Sequence, residues 1–129
     1  MKLGNAVTLQ RDFAETIADV RIALADQGFG VLTEIDMQAT LKAKIGVDID
    51  PYLILGACNP PLAHRAISAD PSLGLLLPCN VIVRTSGTAT IVEFVDPNVL
   101  VDFSESPDVR SIAAEVAQRL DAALAAVSA

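Results

Sequence analysis

At 129 residues the chain has the usual size of one domain, so residues 1–129 are read as a single unit that can bury roughly two-thirds of its unfolded surface without staples. It is 52% hydrophobic but only 4% aromatic, so the core has to be built from Leu, Ile, Val and Ala. A net charge of −7, with 9 basic residues and no basic run, argues against nucleic acid and against a membrane as partners, because phosphate binding rests on clustered Lys and Arg.

Val7-Thr8-Leu9 is a short strand. Asp12 followed by Glu15 has the spacing of a capping box, which starts a helix at about Phe13. Phe13, Ile17, Val20 and Leu24 then recur at helical spacing, and Gly28 ends the helix. Phe29, Val31, Thr33 and Ile35 alternate with Gly30, Leu32 and Glu34 as in a half-buried strand. Asp36 caps a short helix carrying Met37, Leu41 and Ile45, stopped by Gly46. Val47 to Pro51 is a connector. Tyr52 to Cys58 is a continuous apolar run of strand length and reads as a central strand. Asn59 caps the next helix, with Pro60 or Pro61 at its first position, and that helix ends before Pro71. Leu73 to Leu77 is ambiguous between a helical turn and a strand. Cys79 to Thr85 and Thr88 to Val95 are two strands joined at Ser86-Gly87, a hairpin signal. Asp96-Pro97-Asn98 breaks the second strand, an acidic loop follows, and Ser106-Pro107 opens a long helix with its buried stripe at Val109, Ile112, Ala113, Val116, Leu120, Leu124 and Val127.

No apolar run approaches the ~18 residues needed to cross a bilayer. The start of the chain turns polar at Gln10-Arg11-Asp12 and lacks a secretory apolar stretch, so a cytoplasmic location with reduced thiols is expected.

Chemistry concentrates in Gly56-Ala57-Cys58-Asn59-Pro60-Pro61-Leu62-Ala63-His64 and its echo Leu77-Pro78-Cys79-Asn80. Both cysteines and the single histidine lie here. The paired motifs Leu55-Gly56-Ala57-Cys58-Asn59-Pro60 and Leu76-Leu77-Pro78-Cys79-Asn80-Val81-Ile82-Val83 resemble the bacterial and archaeal family named domain of unknown function 302. The likeness runs from about Phe13 to Val127. It implies a fold similar to the TATA-binding-protein-like class, with a strand, a helix, four strands of a curved antiparallel sheet and a final helix. That agrees with an α+β domain carrying extra short helices, its sheet mostly antiparallel and its helices on one face. The resemblance implies no activity and does not imply DNA binding, since function sits in sites rather than folds. His64 is not part of the family motif.

Cys58 stands just before a helix N-terminus, where the dipole favours a thiolate, and His64 one turn on could serve as base. The competing reading is a buried structural thiol. Cys58 and Cys79 are expected close together on neighbouring strands. With His64 and a carboxylate such as Glu93 they could bind a soft metal, but zinc prefers tight Cys-x-x-Cys pairs and these cysteines stand 21 positions apart, so no metal and no other cofactor is expected. Asn59 and Asn80 either satisfy nearby backbone or point into one cleft as ligand contacts. Glu93 is either on the solvent face of its strand or a buried carboxylate. Gly28-Phe29-Gly30 is no dinucleotide fingerprint, because it follows a helix and opens a strand. The acidic loop lacks the spacing and glycine of a calcium-binding loop.

The function expected is a non-enzymatic module that binds a small ligand or a protein and works as a homodimer, with Cys58, Asn59, Cys79, Asn80 and Glu93 as candidate ligand contacts. The alternative is a thiol-dependent or metal-assisted enzyme using Cys58, with Cys79 and His64 nearby. A homodimer is expected because the apolar fraction exceeds what a small interior hides. Its surplus is sought in Tyr52 to Cys58, Leu73 to Val83 and the Ala-rich last helix.

Overall fold

The computed structural model describes residues 3–129. Five strands form one antiparallel sheet in the order β1-β5-β4-β3-β2. They are β1 (Gly4–Leu9), β2 (Gly30–Asp36), β3 (Tyr52–Cys58), β4 (Cys79–Ser86) and β5 (Ala89–Val95). The helices are α1 (Phe13–Asp26), α2 (Met37–Ile45), α3 (Pro60–Ala69), α4 (Val99–Asp102) and α5 (Val109–Ser128). Pro71–Leu76 is a 3₁₀ turn, which settles the ambiguous Leu73 segment. The sheet is wholly antiparallel rather than mostly so.

Alternation decides which side chains meet the helices. Leu53, Leu55, Val81, Val83, Val92 and Phe94 point to one side and are buried under α1 and α5. Each such side chain contributes about 1.5–3 kcal/mol when it leaves water. The stripe expected on α5 is buried throughout, and Ala123 joins it. The residues between them, Tyr52, Ile54, Ile82, Arg84, Ile91 and Glu93, face away from α1 and α5.

Three expectations need correction. β2 is an edge strand and mostly exposed rather than half-buried, with Leu32 67% accessible. A register shift between Val31 and Thr33 breaks its simple alternation. Val31 therefore lies on the helix side, paired with Ala57, whereas Thr33 and Ile35 lie opposite Gly56 and Ile54 on the other side. The buried stripe of α1 is turned toward Thr16, Val20, Ala23 and Leu24, with Phe13 and Ile17 only partly covered. The acidic loop contains a short helix, α4, whose Leu100 reaches the core.

Caps follow the sequence closely. Asp12 accepts from Glu15 N at 3.2 Å, Asp36 accepts from Ala39 N at 2.9 Å, and Gly46 ends α2 at φ 69°. α2 buries no residue fully: Met37 and Leu41 of its expected stripe are half-buried and Ile45 is exposed.

Candidate functional site

The motif residues sit where β3 runs into α3 and where β4 begins. Asn59 is buried and does two jobs. Its Oδ1 accepts from Leu62 N at 3.3 Å, capping α3, and its Nδ2 donates to the Gln27 carbonyl at 3.3 Å. That carbonyl, at the end of α1, also accepts from Arg119 Nη1 of α5 at 3.4 Å. One backbone oxygen thus joins three helices. Gly28 beside it has φ 83°, and a Cβ there would stand 3.0 Å from Asn59 Nδ2, so both backbone and space require glycine. Arg119 was not anticipated from the sequence. Its signal was position: it follows Val116 by one turn, at the flank of the buried stripe. Its Nε is buried without a hydrogen-bond partner among the described residues.

Cys79 pairs in register with Ala57, so Cys58 lies one residue along on the neighbouring strand, and strands are spaced ~4.8 Å apart. Both are free thiols, Cys79 buried and Cys58 half-buried. They line a small apolar cavity of about 20 Å³ with Leu62, Ala66, Pro78 and Ile112, enough for roughly one water. Burial pushes the Cys79 thiol from 9.0 up to about 11, and the neighbouring Cys58 adds to the rise. Cys79 therefore stays protonated at neutral pH, and a protonated thiol is a poor nucleophile and metal ligand.

The structure does not bring His64 to this cavity. The side of α3 facing Cys58 carries Leu62, Ala63 and Ala66. His64 is exposed on another side and borders a polar groove between α3 and α5 with Arg65, Ser68, Asp108 and Ser111. Among the described residues no three His, Cys, Asp or Glu side chains gather as a metal site would need.

Asn80 and Glu93 lie on the opposite side of the sheet. Consecutive strand residues point to opposite faces, so Cys79 and Asn80 cannot share a site on one face. Asn80 pairs in register with Gly56, and Glu93 pairs with Ile82. The two polar side chains border a shallow trough of about 260 Å³, otherwise lined by Leu3, Ile82, Val95 and Val99. The candidate contacts thus divide into Cys58, Cys79 and Asn59 at the helix side, Asn80 and Glu93 on the open side, and His64 apart from both.

The family model for DUF302, domain of unknown function, matches residues 5–127. A solved structure described as an uncharacterized conserved DUF302 protein from Bacillus stearothermophilus is 30% identical, with a TM-score of 0.90, over 98% of this chain and 99% of that one. A search of the curated proteins finds no match.

Proposed function

This chain belongs to the DUF302 family, and we propose that it is a non-enzymatic binding module, for a small ligand or a protein, that works as a homodimer. The observation carrying this reading is the side of the sheet turned away from α1 and α5. Antiparallel sheets that face water on one side ordinarily alternate apolar-in with polar-out. Here Ile54, Ile82 and Ile91 lie on the outward side, with Tyr52 and the Asn80–Glu93 trough beside them. A recess that is mostly apolar, with a few placed polar groups, is how binding sites are generally built. Asn80 can donate and accept through its amide, and Glu93 supplies an acceptor, so a small ligand with a donor group suits the trough.

The thiol-enzyme alternative has less support. His64 is turned away from Cys58, and Cys79 holds its proton. Catalysis by a thiol needs a base within hydrogen-bond reach, and none of the residues around the cavity supplies one.

A titration of isoleucine-methyl-labelled protein with a library of small amides and amines tests the site. Binding is expected to move the Ile82 methyl signals first, with a smaller effect at Ile54. Shifts confined to residues around Cys58, such as Ile112, would place the site in the helix-side cavity and overturn the trough.

A further inference from the structure

We infer that the homodimer forms by face-to-face packing of the two open sheet surfaces, with Arg84 of each copy meeting Glu93 of the other. This rests on the homodimer reading above, names its interface, and makes the donor received by Glu93 the other copy's Arg84 rather than a small ligand.

The register makes the case. Ile82 pairs with Glu93, and Arg84 pairs with Ile91. These four side chains form the corners of one patch on the helix-free side of β4 and β5. Arg84 and Glu93 occupy one diagonal, and the two isoleucines occupy the other. Arg84 and Glu93 are half-buried, and neither makes an ion pair among the described residues. A two-fold axis lying between the sheets and bisecting the Arg84–Glu93 diagonal carries each Arg84 over the other copy's Glu93, twice by symmetry. The same axis passes close to Ile82 and Ile91, so each isoleucine meets its own counterpart. A two-fold interface requires a patch complementary to itself, and opposite charges on one diagonal with an apolar pair on the other satisfy that condition. Stacked sheets sit ~10 Å apart, a gap that side chains from both copies fill.

Five strands at ~4.8 Å spacing and about six residues of ~3.3 Å rise present roughly 480 Å² per copy. Two copies in full overlap bury roughly 960 Å², close to the ~1,000 Å² that marks a specific interface. The other apolar surplus expected from the sequence is only partly used: Ala113 and Ala123 of α5 are buried in their own protomer, whereas Ala122, Ala125, Ala126 and Leu75 stay exposed. The contact pairs unlike charges locally, which offsets part of the repulsion between two copies that each carry −7.

Charge reversal tests the contact. Arg84→Glu and Glu93→Arg are surface changes, and circular dichroism checks that each variant folds. Each alone places like charges together twice, and its dimer dissociation constant should rise at least ~10-fold. Mixed with each other, the two variants should form a heterodimer in which both contacts are again unlike pairs. Native mass spectrometry reads both results, and a one-chain double variant, Arg84→Glu with Glu93→Arg, should recover the native dimer. A native dimer unmoved by either reversal, or variants weakened alone that do not recover on mixing, overturns this interface and leaves the homodimer standing. A monomeric native chain overturns the homodimer reading and the interface with it.

Discussion

Two adjacent polar residues, Cys79 and Asn80, show how a single strand step separates functions. Cys79 turns into the cavity under the helices, and Asn80 turns to the open trough. The burial of Cys79 has a measurable consequence. Its folded pKa is raised above the unfolded value, so the stability it contributes is fully present below pH 9.0 and is lost as pH rises toward about 11. Over that window the unfolded chain gives up the proton while the folded chain keeps it. The loss should amount to about 2–3 kcal/mol, at roughly 1.4 kcal/mol per pH unit. Urea denaturation of the native chain and Cys79→Ala across pH 8 to 11 isolates the effect: the native curve should fall more steeply, and parallel curves would contradict the buried thiol. The sequence displayed both cysteines and placed them on neighbouring strands. It could not show that His64 faces away from them, because only half a turn of α3, about two residues, separates its cavity side from its solvent side, and residue spacing alone does not fix the helix's rotation.

Elements were readable wherever the local chemistry was strong. The caps at Asp12, Asp36 and Asn59 and the glycine stops at Gly28 and Gly46 fall where the residues indicated, because each satisfies helix-end groups by itself. β2 was misjudged for the opposite reason. Alternation from Val31 to Ile35 predicts a half-buried strand, but a register shift near Leu32 and an edge position are decided by its partner strand, β3. Thr33 then crowds Gly56, where an added Cβ would come within 2.1 Å of the Thr33 hydroxyl and 2.7 Å of Pro78 Cγ. The Asn59 junction is the clearest case of one residue serving several elements. Asn59→Ala removes the α3 cap and the donor to the Gln27 carbonyl together. A loss of about 2 kcal/mol is expected in chemical denaturation, above the ~1 kcal/mol of an ordinary cap. Asn59→Asp keeps the cap oxygen and should lose less. Equal losses for the two variants would mean that the cap contributes nothing, and no loss in Asn59→Asp would mean that the tie to α1 contributes nothing.

At the scale of the molecule, one mismatch stands between sequence and fold. Tyr52 to Cys58 reads as a strand buried on both faces, yet Tyr52, Ile54 and Cys58 are only half-buried and α1 and α5 pack on the side of Leu53, Leu55 and Ala57. No helix among the described residues is long and apolar enough to cross a membrane, so lipid reached by a spanning helix is not the cover of the other side. In the proposed dimer a second copy supplies that cover, with an apolar face of matching extent and two unlike charge pairs. Sedimentation velocity of the native chain at micromolar concentration tests this most directly: a mass twice the 13.5 kDa of one chain is expected, and a single species of 13.5 kDa across that range would contradict it.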